Sequence, residues 1–345
     1  MDISKIDKNF KVETNISQEG LVFHNVLDGN FEINGVFYEN DRFVRMPLEI
    51  AKTVNEGVET LAGNTAGGRV RFRTDSPFVA VNCKTHTAHK MPHIPVNGSC
   101  GMDLFADNTY VGTFFAPFFF KDSYEAILYP PQKGEYEVVI NMPLYCGVHE
   151  LYIGLKEGAT IKVPTPYDDV PPIVYYGSSI TQGGCASRPG NCYQHMIQRE
   201  INIDHINLGF SGSARAEQTM IDYLNTLDMS LFVMDYDHNA PTLEYLKGTH
   251  EGLYRGIRNA KPNLHILIIS KPDMQGAEAY ERRDFIRSNY EKFVAEGDKN
   301  VYYIDGSTFF PEIGLCTVDG CHPSDLGFYF MANKIGAEIK KIFNI

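Results

Sequence analysis

The 345-residue chain predicts an α/β protein: a doubly wound parallel sheet in its second half, preceded by a mainly antiparallel β-sandwich. Three observations carry this. Before residue 163, short Val-, Phe-, Tyr- and Thr-rich segments alternate with turn residues and show no long helical period. After residue 172, continuous apolar runs alternate with stretches of crossover-helix length, as in a parallel sheet buried on both faces. Between them, Pro164, Pro166, Pro171 and Pro172 put four prolines into nine residues, the mark of a semi-rigid strap. The expected division is residues 1–163, a linker over 164–172, and residues 173–345, since single cores rarely grow past about 250–300 residues.

In the first part, Gly68 to Arg73 has period two and Asp75-Ser76-Pro77 ends it. Further strands are expected over Phe78–Asn82, Gly101–Ala106, Thr109–Phe115, Tyr136–Met142 and His149–Leu155, with Ala106-Asp107-Asn108 as a hairpin connection. In the second part the apolar runs are Ile173–Tyr176, His205–Leu208, Leu231–Met234, His265–Ile269 and Val301–Ile304. Helices are expected over Asn191–Ile201, Arg215–Asn225, Leu243–Asn259 and Ala279–Glu296. A closing helix is capped by Ser324 and striped by Leu326, Phe330, Met331, Ile335, Ile339 and Ile342.

Composition excludes several classes of function. With 43% hydrophobic and 21% charged residues a full core can form, and the net charge of -12 repels nucleic-acid phosphates and anionic membranes. No apolar stretch approaches the roughly 20 residues needed to cross a bilayer. Seven cysteines, none in CxxC spacing, read as mostly free thiols. With no apolar leader after Met1, they favour a cytoplasmic location, although a leader removed before residue 1 would leave no trace. Oligomeric state is not written in the sequence.

Ligands of an open parallel sheet bind beyond the carboxyl ends of its strands, where strand order reverses. If the strands run 2-1-3-4-5, the loops carrying Ser179, Gly212 and Asn239 converge there, joined by the late segment Asp319-Gly320-Cys321-His322-Pro323. A serine hydroxyl needs an adjacent base, usually a histidine held by a carboxylate, and Asp319 and His322 are spaced to supply one. Backbone N–H groups of Ser179 and Gly212 and the amide of Asn239 are candidate donors to an oxyanion. Taken singly, each has a bland alternative: Gly-Ser-Ser as a helix cap, Gly212 as a turn glycine, Asn239 as a cap before Pro241. Together they supply the complementary parts of one mechanism.

Gly177-Ser178-Ser179, Gly212, Asn239 and Asp319 to Pro323 resemble, in order and spacing, the four blocks of the SGNH, or GDSL-like, hydrolase superfamily. Gly101-Met102-Asp103-Leu104-Phe105 resembles the signature of the GxDLY domain that precedes an SGNH domain in one bacterial branch. The resemblance implies a flavodoxin-like hydrolase fold, with Ser179 as nucleophile, His322 as base, Asp319 as its orienter, and Ser179, Gly212 and Asn239 around the oxyanion. It implies a serine esterase acting on small acyl, including acetyl, esters of carbohydrates or other small molecules, with no cofactor and no metal. Two rivals remain: acyl transfer at the same site, and a non-catalytic carbohydrate-binding protein. The chain departs from the family pattern at Ser178, where aspartate is usual, and at Asp237, where glycine is common and where a carboxylate would place negative charge near the oxyanion hole.

Weaker signals are read as structural. His86, His89 and His93 form a cluster without a cysteine or carboxylate at zinc spacing, better explained as a loop overhanging the catalytic edge. Asp235, Asp237 and His238 alternate along a strand and its end, so they do not point to one metal. Thr113 to Phe120 is an aromatic block expected to be buried, with sugar stacking as the alternative, and Lys271, Pro272 and Asp273, after the fourth strand, are expected to border the same sheet edge.

Overall fold

The computed structural model describes residues 12–85, 91–272 and 277–345. In the second half, five strands form an all-parallel sheet in the order His205–Gly209, Ile173–Gly177, Leu231–Asp235, His265–Ile269 and Val301–Ile304. This is the 2-1-3-4-5 order. Gly177 lies in register with Gly209 on one side and Asp235 on the other, so three strand ends finish level.

Period two explains how both faces are covered. Val174 and Tyr176 point to one side, packing with Phe232, Ile266 and Ile268 against Met220, Leu224, Leu246, Leu253 and Ile257 of helices Gln218–Thr226 and Leu243–Ala260. Ile173 and Tyr175 point to the other, where Ile197 of helix Tyr193–Glu200 and Phe328, Met331, Ile335 and Ile339 of helix Asp325–Phe343 cover them. Each fully buried aliphatic side chain contributes about 1.5–3 kcal/mol. Ser324 caps the last helix, but its buried stripe runs through Phe328; Leu326 is exposed and Phe330 only half-buried.

The first half holds two larger antiparallel sheets and a small two-stranded one, Phe37–Glu39 with Arg42–Val44. Of the larger two, one orders Leu21–Asn25, Val148–Lys156, Val79–Thr85 and Ser123–Leu128; the other orders Glu32–Asn34, Arg69–Thr74, Tyr136–Asn141, Met102–Ala106 and Thr109–Phe114. Val79, Val81, Leu151 and Ile153 of the first meet Val70, Phe72, Leu104, Val138 and Ile140 of the second in one core. The Asp107-Asn108 turn has φ of 47° and 61°, the left-handed pair of a type I′ hairpin. Several features depart from the sequence reading, two short helices and the aromatic block among them. Helices Leu48–Val54 and Glu56–Ala62 interrupt the strands, and their Ala51, Val58 and Ala62 join the core of the α/β half beside Met220 and Ile221. The aromatic block is not buried as expected: Phe114 is, but Phe115, Phe118 and Phe119 are 63%, 60% and 85% exposed. Phe114 is the inward residue of its strand, so alternation turns Phe115 outward, and the chain then leaves the sheet.

Buried polar contacts lock the halves together. Asp103, the acid of Gly101-Met102-Asp103-Leu104-Phe105, is fully buried and accepts from Asn141 Nδ2 at 2.7 Å, Arg188 Nη1 at 2.6 Å and Gly190 N at 2.8 Å. Arg45 donates to the carbonyls of Asn207 and Gly209 at 3.2 and 2.6 Å, holding the second parallel strand from outside the sheet. The proline strap lies along the joint, with Lys162 paired to Arg73 and the Tyr167 ring 3.7 Å beneath the Arg71 guanidinium. No helix among the described residues is long and apolar enough to cross a membrane.

Asp235, at the end of the third strand, is fully buried and accepts from Thr181 Oγ1 at 2.9 Å and Tyr193 Oη at 3.2 Å. Burial raises its pKa from 3.8 to about 7, against the lowering effect of those two hydrogen bonds. The folded protein therefore holds a proton that the unfolded chain has released. The associated stability is full below about pH 4 and is lost as pH rises through about 7.

Two outcomes follow from these buried carboxyls. Asp103→Ala leaves Arg188 and two further donors without their acceptor and should cost about 3–5 kcal/mol, read as a lower urea midpoint at unchanged slope; a shift below about 0.5 kcal/mol would show that the clamp carries no stability. Asp235→Asn should flatten the fall in thermal midpoint between pH 5 and pH 8, and parallel profiles for variant and wild type would exclude a raised Asp235.

Candidate active site

The strand Ile173–Gly177 ends against its neighbours so closely that a Cβ on Gly177 would lie 2.2 Å from the Asp235 carbonyl oxygen. The chain then turns at Ser178, whose hydroxyl accepts from Ile180 N at 3.2 Å and caps the short helix Ser179–Gln182. Ser178 is thus an N-cap, a role its aspartate counterpart can also fill. Ser179 is left at the first helical position, half-buried, with Oγ 2.8 Å from His322 Nε2.

His322 is held from behind. Its Nδ1 lies 2.7 Å from Asp319 Oδ2, while Asp319 Oδ1 accepts from the backbone N–H groups of His322 at 2.7 Å and Cys321 at 3.0 Å. Gly320, at φ +83°, permits this tight turn. Partial burial would raise the Asp319 pKa, but the hydrogen bonds from His322 and Cys321 outweigh it and hold the group at about 2. An ionised carboxylate only accepts, so it favours Nδ1–H and leaves the Nε2 lone pair facing the Ser179 hydroxyl.

The two glycine and asparagine loops lie alongside. Phe210 N donates to Gly177 O at 2.8 Å, and Ser211 N donates to Gln182 Oε1 at 3.0 Å, tying the second loop to the serine helix. Gly212 has φ +70°, and among the described residues its N–H has no protein acceptor. Asn239 sits in the single turn Asp237–Asn239, and one of its amide hydrogens is donated to Phe210 O at 2.7 Å. The arrangement brings Ser179, His322 and Asp319 into one hydrogen-bonded chain and sets Gly212 and Asn239 on loops bonded to one another.

Asp237 is taken up by partners of its own. It is buried, its Oδ1 accepts from Arg282 Nη1 at 3.0 Å and its Oδ2 from Lys271 N at 3.2 Å. Arg282 also donates to the carbonyls of Asp237 and Ala240 at 3.1 and 2.8 Å, so the charge is neutralised and the loop clamped by one guanidinium. Asp235 engages Thr181 and Tyr193, and His238 Nδ1 faces Cys321 Sγ at 3.7 Å; these three residues serve different partners. Burial, reinforced by Lys271, His322 and Arg282, holds the His238 pKa well below its usual value. Lys271 lies buried behind the Asp237 loop, Pro272 is buried beside it, and Asp273 falls outside the described residues.

The β half also reaches the site. Tyr145 donates to Ser179 O at 3.1 Å and Gln182 Nε2 to Leu144 O at 3.1 Å, fixing the serine helix from outside the sheet. His93 overhangs the edge, its ring centroid 5.4 Å from that of His322, while His86 and His89 lie outside the described residues. Tyr145, Gln182 and Arg282 were not singled out in the sequence. Gln182 sits three positions after Ser179, a spacing that puts both on one helical face, but Arg282 lies within Glu281-Arg282-Arg283-Asp284, which reads as a solvated stretch.

Residues 171–340 match the GDSL-like lipase/acylhydrolase family, and residues 21–161 match the N-terminus of SGNH-hydrolase-type esterases. No curated protein matches the chain. Among solved structures, a protein described as a GDSL-like lipase from Bacteroides ovatus is 26% identical, with a TM-score of 0.85 over 94% of this chain and 98% of that one. A salicylyl-acyltransferase from a tetracycline biosynthetic pathway (20% identity, TM-score 0.77, 94% and 98% covered) shares the fold. So does an acetyl xylan esterase from Butyrivibrio proteoclasticus (11%, 0.59, 94% and 99%). With its parallel sheet, its preceding antiparallel sheets and these two matches, the chain belongs to the GDSL-like, or SGNH, hydrolases, in the branch that carries a GxDLY-type N-terminal domain.

Proposed function

We propose that the protein is a serine esterase that removes a small acyl group through a covalent acyl-enzyme. The observation carrying this reading is the pair of hydrogen bonds from Ser179 Oγ to His322 Nε2 at 2.8 Å and from His322 Nδ1 to Asp319 at 2.7 Å. In the first step Ser179 Oγ attacks the ester carbonyl carbon while its proton passes to His322 Nε2. Negative charge then develops on the carbonyl oxygen, toward which the N–H groups of Ser179 and Gly212 and the second amide hydrogen of Asn239 are the available donors. Collapse of the tetrahedral intermediate expels the alcohol, which takes the proton from His322. Water, deprotonated by the same nitrogen, then cleaves the acyl-enzyme and restores Ser179. Asp319 stays ionised throughout and stabilises the imidazolium formed at each attack.

Small esters of carbohydrates or other small molecules fit the surroundings best. Beside His93 lies a cavity of about 860 Å³ lined by Met91 to Asn97 and Phe115 to Phe118. The exposed Phe115 and Phe118 rings can lie against the apolar face of a sugar or other small ring. Carbohydrate esterases are among the proteins with this fold, which accords with that reading.

Assays with acetylated sugars and with short- and long-chain aryl esters test the proposal. Short esters should be cleaved preferentially, and Asn239→Ala should lower kcat by roughly 10²–10³ with KM little changed. With an added alcohol, a new ester in place of free acid would instead assign acyl transfer. Sugar binding without turnover of any ester would favour a carbohydrate-binding role and defeat the esterase reading.

A further inference from the structure

His93 comes from the β half, Cys185 follows the serine helix, and His322 belongs to the last loop, yet one ligand atom of each lies within 4.8 Å of the other two. Two imidazoles and a thiol form a borderline-soft donor set of the kind zinc prefers. Tetrahedral zinc, with bonds of about 2.0–2.3 Å, needs ligand atoms about 3.3–3.6 Å apart. The set is therefore open by roughly 1 Å, and one partner can close it. His93 is exposed, on a segment between the undescribed residues 86–90 and the turn Val96–Ser99. Cys185 is 4% exposed and His322 is fixed by Asp319, so these two form the rigid side of the site.

We propose that His93, Cys185 and His322 form an inhibitory zinc site that reversibly withdraws the base from the serine. This rests on the esterase reading for its consequence, though not for the binding itself. Both nitrogens of His322 are already engaged, Nε2 with Ser179 and Nδ1 with Asp319. Ligation through either one breaks the hydrogen-bonded chain. On binding, the Cys185 thiol proton is released to solvent and zinc gains one thiolate and two imidazole bonds, with a fourth position left for water. Because His93 comes from the β half, the ion also bridges the two parts of the molecule across the mouth of the site.

Cobalt(II), which reports thiolate ligation by a near-ultraviolet charge-transfer band, separates binding from catalysis. The metal-free full-length protein should develop the band on titration, and Ser179→Ala should develop it equally, so binding is read without any esterase activity. Cys185→Ala should lose the band, and His93→Gln, an exposed substitution that leaves the core intact, should weaken binding by at least the roughly 10–100-fold that loss of an outer-shell partner costs. In turnover assays zinc should inhibit the wild type, a chelator should restore it, and Cys185→Ala should remain active and resist inhibition. No cobalt–thiolate band in the wild type, or a band abolished by Cys321→Ala but retained in Cys185→Ala, would overturn the site. Inhibition by zinc that is equally strong in Cys185→Ala and His93→Gln would overturn it as well.

Discussion

The 2.8 Å hydrogen bond from Ser179 Oγ to His322 Nε2 joins residues 143 positions apart, and the architecture around it serves to hold those two atoms together. One comes from the end of the first parallel strand and the other from the turn before the last helix. Their meeting requires that the first strand sit inside the sheet, between the second and third, and that the closing helix return across the same face. The sheet order supplies the first condition and the packing of Phe328, Met331 and Ile335 against Tyr193 and Ile197 the second. Asp319 then converts proximity into orientation, because a carboxylate that accepts from the histidine's own backbone as well as its ring leaves the imidazole little freedom to swing.

Much of this was legible in the sequence because it rests on local pattern. Apolar runs bounded by turn residues located all five parallel strands, and the spacing of Asp319 and His322 set a carboxylate one turn from an imidazole. What stayed hidden depends on long-range packing. Strands Leu21–Asn25 and Ser123–Leu128 carry mixed sequences whose pairing is decided by neighbours. Helices Leu48–Val54 and Glu56–Ala62 are too short for a strong period, and they bury small residues against a partner more than 150 positions away. Phe115, Phe118 and Phe119 read as core from composition alone, whereas alternation and the end of the strand turn them to solvent.

The same distinction holds at the site. Asp237 looked like an electrostatic intrusion because its own segment gives no counter-charge; Arg282, 45 residues on, supplies it. A buried carboxylate with a paired guanidinium is then a clamp on the Asn239 loop. Tyr145 and Leu144 reveal a further dependence, since the serine helix is braced by the β half through Tyr145 Oη and Gln182. The first half of the chain is part of the frame that positions Ser179, and through His93 it also borders the opening. The acid of its Gly101-Met102-Asp103-Leu104-Phe105 segment explains how this frame is secured: it is the buried acceptor for Arg188 and Gly190 of the other half.

Covalent labelling by a serine-directed fluorophosphonate, followed by intact-mass and peptide analysis, tests the activation of Ser179 most directly. One adduct on the peptide containing Ser179, absent in Ser179→Ala and much slower to form in His322→Ala, is the predicted result. A folded wild-type protein that stays unlabelled, or one labelled at another serine, would contradict it.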